Sequence, residues 1–111
     1  MTENDNKRRY PRIKAPASQR VAWRSGTLRN LSLVDNLGMG GLFIRTKTPA
    51  AVGAIVQLLI PTERGEIRLR AIVRSTVAGK GMGVAIAAME PEDRGRLDRW
   101  LRQLSEPQSK T

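Results

Sequence analysis

The chain has 111 residues, enough for one domain with a modest core. It contains neither cysteine nor histidine, which excludes disulfides and Ser–His or Cys–His catalysis and removes the usual ligands of a transition-metal site. The formal charge of +10 favours a polyanionic partner such as a nucleic acid, a nucleotide or an anionic membrane surface, although a basic surface that serves only solubility is an alternative.

The N-terminal region is polar and then strongly basic. Residues 1–7 show no apolar periodicity and are expected to be disordered; their composition is not that of a secretory signal, so a cytoplasmic location is expected. The cluster Arg8-Arg9-Tyr10-Pro11-Arg12 begins an arm over residues 8–20, which its prolines keep extended and mobile rather than helical. Arginines spaced in this way suit a planar anion, because each guanidinium can bind phosphate oxygens or the edge of guanine in a bidentate manner.

The central region, residues 21–88, has the pattern of six short strands. Apolar and polar residues alternate most clearly over Glu66 to Ser75, and glycine-containing turns separate the strands at hairpin spacing. No helical period intervenes, so the pattern predicts a small antiparallel barrel or sandwich with Trp23 and Phe43 in its core. The longest apolar stretch, Ala50 to Ile60, is too short for the roughly 20 residues of a membrane-spanning helix, and no membrane insertion is expected.

A glycine-rich turn, Asn36-Leu37-Gly38-Met39-Gly40-Gly41, lies within this region. Asn36 offers an amide donor and a carbonyl acceptor, which together can read a guanine edge. Gly38, Gly40 and Gly41 are expected to leave backbone N–H groups open to a phosphate. The alternative is an ordinary hairpin turn with no binding role. The stretch is not a Walker loop, since the lysine and hydroxyl that should follow the last glycine are absent.

The C-terminal region changes to a helical pattern. Pro91-Glu92-Asp93 suits a first helical turn, and the apolar residues Leu97, Trp100, Leu101 and Leu104 then recur at helical spacing. We predict a helix over residues 91–104 that covers one end of the barrel, followed by a polar tail over 105–111. No carboxylates form a recognisable acid/base pair, so no catalytic residues and no enzymatic activity are predicted.

These motifs resemble the PilZ domain family over nearly the whole chain, residues 8–104. The family has an N-terminal RxxxR arm, a six-stranded antiparallel barrel with a D/N-x-S-x-x-G turn, and a C-terminal helix. Arg8 and Arg12 match the first motif, and Asn36 and Gly41 match the ends of the second. An alternative register, Asn30-Leu31-Ser32, restores the serine but places Asp35 where glycine is required, so the Asn36 register is preferred.

The resemblance implies a bacterial receptor for the second messenger cyclic di-GMP (c-di-GMP), with no other cofactor. The implied ligand-binding residues are Arg8, Arg9, Arg12, Asn36, Gly38, Gly40 and Gly41. The expected mechanism is a switch: the ligand bridges arm and barrel, and a downstream protein partner reads the change. Gly38 replaces the motif serine, and the lost hydroxyl bond would cost roughly 1–2 kcal/mol, or about tenfold in affinity.

Two competing functions remain. The first is a basic small-barrel nucleic-acid binder, although the scarcity of aromatic residues for base stacking makes nucleic acid the less expected partner. The second is a PilZ-like protein adaptor that has lost ligand binding. This alternative is kept because Gly38 replaces the serine of the second motif.

Overall fold

The computed structural model describes residues 11–105, so both predicted tails and the first part of the arm, with Arg8 and Arg9, lie outside the described residues apart from Ser105. The described elements are, in chain order, β1 (Ile13–Lys14), β2 (Arg20–Ser25), β3 (Leu28–Leu37), β4 (Gly41–Arg45), β5 (Ile55–Thr62), β6 (Gly65–Val77), β7 (Gly81–Ala88) and α1 (Pro91–Ser105).

Six of these strands close into a barrel. Their order around the sheet is β3, β2, β5, β6, β7 and β4, and β4 then pairs with β3 to complete the ring. All of these pairings are antiparallel. The prediction of a six-stranded antiparallel barrel with a C-terminal helix is therefore confirmed, and the sandwich is excluded.

Alternation along the strands decides which side chains fill the barrel. In β6 the buried residues are Ile67, Leu69, Ala71 and Val73, and the exposed ones between them include Arg68 and Arg70. In β4 the same alternation buries Leu42 and Ile44 and turns Phe43 to the outside, where it is half-buried. The expectation that Phe43 belongs to the core is therefore wrong. Trp23, 2% exposed, is in the core as predicted.

The described part of the arm is attached to the barrel. β1 pairs with Asn36 and Leu37 at the end of β3, and the N–H of Ala15 donates to the carbonyl of Asp35 at 3.0 Å. This pairing is possible because β2 covers only the first part of β3, so that the last residues of β3 keep an open edge. In this structure residues 13–15 of the predicted arm are therefore held against β3, and the mobility of the free arm stays a prediction.

The helix α1 packs against β6. Leu97 and Trp100 are buried in the same cluster as the barrel interior. Asp93, in the first helical turn, accepts the backbone N–H of Arg68 at 3.0 Å, on a stretch of β6 that β7 does not reach. The Asp93 carboxylate thereby provides a hydrogen-bond acceptor for a backbone N–H at the open edge of β6. It also lies at the N-terminus of α1, where the helix dipole favours a negative charge. None of the helices over residues 11–105 is long and apolar enough to span a membrane.

Candidate ligand-binding site

A row of residues crosses four neighbouring strands on the outer side of the barrel. Asn36 on β3 pairs with Phe43 on β4, and Phe43 pairs with Gly83 on β7. Gly83 in turn pairs with Ser75 on β6. The row brings together residues that are far apart in the sequence, because closure of the barrel makes β4 the neighbour of both β3 and β7.

The ring of Phe43 lies close to the backbone of β7. A Cβ placed on Gly81 would come within 2.9 Å of Phe43 Cε2, and one placed on Gly83 would lie 3.8 Å from Phe43 Cδ1. The two glycines therefore leave room for the ring to approach the strand. The result is a half-buried aromatic surface in the middle of the row.

The arm meets the turn at Arg12. Its guanidinium donates from Nη1 to Oδ1 of Asn36 at 3.1 Å. Its Nη2 lies 3.0 Å from the point where a Cβ on Gly41 would stand, so a side chain at Gly41 would crowd it. The same Cβ would also come within 2.3 Å of the carbonyl oxygen of Val84 on β7. The RxxxR arginine that the structure describes thus donates to the first residue of the second motif and lies close to its last residue.

The arm leaves no space for a side chain at Gly38, the position at which the family motif has serine. A Cβ at Gly38 would stand 2.4 Å from the carbonyl oxygen of Pro11, which is far closer than an ordinary contact. With the arm in this position, only glycine fits at the place where the family motif has serine. Gly38 does not have a positive φ, which is the usual reason for glycine in a turn. The requirement for glycine here comes from the close approach of the Pro11 backbone.

The backbone N–H of Gly38 donates to the carbonyl oxygen of Gly41 at 2.9 Å. The expectation that this N–H is open to a phosphate is therefore wrong, because the β3–β4 connection closes on itself. Asn36 belongs to β3 and Gly41 to β4, so the turn proper is shorter than the sequence indicates. The carbonyl of Gly40 accepts the N–H of Ile86 at 2.9 Å, which ties the turn to β7.

A cleft with a volume of about 680 Å³ opens at this row. Its walls include the cations Arg12, Lys14 and Arg74 and the carboxylate of Asp35. Asp35 is paired with Arg45 at 2.8 Å. The cleft therefore carries an excess of positive charge around an aromatic floor, which suits a planar ligand with more than one negative charge. In the part of the chain that the structure describes, no cluster of three or more His, Cys, Asp or Glu could hold a metal ion.

Sequence reasoning missed several residues that line this cleft: Lys14, Phe43, Arg74, Ser75 and Gly83. Strict alternation in Leu42-Phe43-Ile44 would have placed Phe43 on the outer face, whereas nothing local indicates that Arg74 lies near the arm. In the alternative register, Asn30-Leu31-Ser32, Ser32 Oγ accepts the indole N–H of the buried Trp23 at 2.9 Å, and none of the three residues lines this cleft.

The family model of the PilZ domain matches residues 6–103. This chain belongs to the PilZ domain family. The resemblance drawn from the arm, the turn and the helix start is thereby confirmed. Of the described residues that were matched to the PilZ motifs in the sequence, Arg12 and Asn36 line the cleft and Gly41 lies close to Arg12.

Solved PilZ structures share the fold. The K. pneumonia MrkH–c-di-GMP complex aligns with a TM-score of 0.71 at 20% identity over 87% of this chain and 52% of that protein. The PilZ domain of Escherichia coli YcgR with c-di-GMP aligns at 0.72 and 18% identity, over 88% of this chain and 91% of that domain. The Bacillus subtilis inhibitor of motility MotI/DgrA aligns at 0.70 and 23% identity, over 91% of this chain and 53% of that protein.

The chain thus spans about half the length of MrkH and of MotI/DgrA. At these identities the similarity shows a common fold. A comparison with curated proteins found no match.

Proposed function

We propose that this chain binds cyclic di-GMP in the cleft between arm and barrel and acts as a ligand-switched effector or adaptor rather than as an enzyme. The observation that carries the proposal is the hydrogen bond between Arg12 and Asn36 in the wall of the positively charged cleft, with Gly41 close to the Arg12 guanidinium. Membership of the PilZ family and the c-di-GMP complexes of MrkH and YcgR support it.

Arg12 and Asn36 have complementary parts in this proposal. A guanidinium only donates hydrogen bonds, so the contact between them must use the amide oxygen of Asn36. The N–H₂ group of Asn36 is then the part that donates to the acceptors O6 and N7 of guanine. Arg12, held beside Asn36, supplies positive charge and guanidinium donors to a phosphate of the same ligand.

The other cleft residues suit the rest of the ligand. Lys14 and Arg74 add positive charge opposite the two phosphates of the dinucleotide. Phe43 offers an aromatic face to a guanine. Arg8 and Arg9, which precede the described residues, supply further guanidinium groups for phosphate or guanine.

The proposed switch acts on the arm. A ligand held between Arg12 and the barrel stabilises the arrangement in which β1 pairs with β3, and a downstream protein reads that surface. The effect is limited by the difference in ligand affinity between the two arm arrangements. A cytoplasmic location, where a bacterial second messenger acts, is part of the proposal.

Calorimetric titration with c-di-GMP tests the proposal. The wild type should bind saturably, and Arg12→Ala should weaken binding by about ten- to a hundredfold, since a charged hydrogen bond is worth roughly 1.5–3 kcal/mol. Arg20→Ala is the matched control, because this arginine is exposed, lies outside the cleft and should leave affinity within about twofold. GTP should not compete at equal concentration.

The competing functions give different results in the same titrations. A nucleic-acid binder would prefer an oligonucleotide, with a steep loss of affinity as salt rises, and would respond equally to Arg12→Ala and Arg20→Ala. A PilZ-like adaptor without a ligand would show no heat at high micromolar dinucleotide, and that result would refute the proposal.

A further inference from the structure

A second cavity lies on the outer faces of β2, β5 and β6, beside the start of α1. Its volume is about 870 Å³, and it shares none of its lining residues with the cleft at Arg12. The cavity is therefore separate from the proposed dinucleotide site, and the following inference does not depend on that site.

Arginines are concentrated along one row of this cavity. Arg29 on β3 stands directly opposite Arg24 on β2, and Arg24 is opposite Gln57 on β5. Gln57 is in turn opposite Arg70 on β6, so three guanidinium groups share a row across four strands. Like charges in directly opposed positions destabilise a sheet.

Ion pairs within the described residues do not neutralise these three arginines. Within residues 11–105 no carboxylate forms an ion pair with Arg24, Arg29 or Arg70, whereas the neighbouring Arg68 is paired with Glu66 at 3.2 Å. The amide oxygen of Gln57 accepts a hydrogen bond from Arg24, which satisfies a donor without neutralising its charge. An anionic partner would relieve the repulsion that the fold itself leaves in place.

The next row is apolar on β3, β2 and β5 and ends at Arg68 on β6. Leu31 on β3 is opposite Ala22, which is opposite Leu59 on β5. Leu31 is 61% exposed, a large value for a leucine in the middle of a strand. An apolar surface bordered by arginines is typical of a protein interface, where charge fixes orientation and buried apolar side chains supply affinity.

We propose that this surface, lined by Arg24, Arg29, Arg70, Ala22 and Leu59 and bordered by Leu31, docks an acidic segment of a partner protein that also carries apolar side chains. A protein fits better than a nucleic acid, because the aromatic residue among the described lining residues, Trp23, is 2% exposed and cannot stack on bases.

The probe is a fluorescein-labelled peptide of about ten residues, in which Asp and Glu alternate with leucine and serine; extended, it spans roughly 33 Å. Fluorescence anisotropy is measured without dinucleotide. The wild type should bind the peptide saturably, and Arg29→Glu should weaken binding by about tenfold or more, because reversal of a charge next to an anion replaces attraction by repulsion. Leu31→Ser should weaken it by about fivefold.

Two substitutions outside the cavity are the matched controls. Arg64→Glu reverses an exposed arginine in the β5–β6 turn, and Val77→Ser replaces an exposed apolar residue at the far end of β6. Both should leave affinity within about twofold. Folding is monitored by thermal melting, in which Arg29→Glu should not lower the midpoint, since it turns a repulsive cross-strand pair with Arg24 into an attractive one.

Three results would overturn the inference. The first is the absence of saturable peptide binding to the folded wild type. The second is an equal loss of affinity in Arg29→Glu and Arg64→Glu, which would indicate a general effect of net charge. The third is displacement of the peptide by an oligothymidylate that binds more tightly, which would make this face a nucleic-acid surface.

Discussion

Restoring the serine of the PilZ motif with Gly38→Ser separates two opposite expectations. The motif alone indicates that the added hydroxyl should bind the ligand and raise affinity for c-di-GMP about tenfold. The structure indicates that the substitution should lower the affinity for c-di-GMP, because a Cβ at this position would stand 2.4 Å from the carbonyl oxygen of Pro11. An ordinary contact needs at least 3.4 Å, so the arm would have to move by about 1 Å.

The cost can be worked out for two responses of the molecule. If the arm stays in place, the strain is that of an overpacked site, about 1–3 kcal/mol. If the arm leaves the barrel, the chain loses the Arg12–Asn36 hydrogen bond and the bond from Ala15 N–H to Asp35, each worth about 1 kcal/mol, together with the burial of Ala15. Both responses therefore lower the free energy of unfolding by about 2 kcal/mol.

Thermal melting and calorimetry test this expectation together. A loss of about 2 kcal/mol should lower the melting midpoint by roughly 10 °C in a domain of this size. Displacement of Arg12 should weaken c-di-GMP binding about tenfold or more. Gly38→Ala is the control: it carries the same Cβ without a hydroxyl and should melt at a similar temperature. Unchanged stability, or tighter binding by Gly38→Ser, would refute the proposed role of the Pro11 contact.

Three further substitutions test other parts of the structure. Gly95→Ala should raise the free energy of unfolding by about 1 kcal/mol in thermal melts, because its Cβ meets no atom closer than 3.5 Å and glycine is unfavourable inside a helix. Trp23→Phe should lower the free energy of unfolding by about 1–3 kcal/mol in urea titrations, through the lost hydrogen bond to Ser32 and the reduced core volume. Arg45→Ala should change stability by less than about 1 kcal/mol, since its pair with Asp35 is exposed, yet calorimetry should show weaker c-di-GMP binding because Asp35 loses its counter-charge beside the cleft.

Local patterns in the sequence were sufficient for the antiparallel strands, the helix and the two motifs, whereas the choice of a barrel over a sandwich came from the resemblance to the PilZ family. Alternation marks the inner and outer faces of a strand, as in β6, because it depends only on successive residues of one strand. The RxxxR arm and the Asn36–Gly41 stretch were recognised in the same way, from residue types at short spacing. The binding roles assigned to these residues stay predictions that the titrations above test.

Only the tertiary structure decided how those pieces combine. The pairing of β4 with both β3 and β7 put Phe43 between Asn36 and Gly83, and the open edge of β3 received the arm, which brought Pro11 against Gly38. The opposed pair Arg24 and Arg29 likewise became evident only from the strand register. Alternation along a strand specifies which face a side chain occupies, but strand neighbours and register depend on contacts between residues distant in the chain, which short-range patterns do not encode.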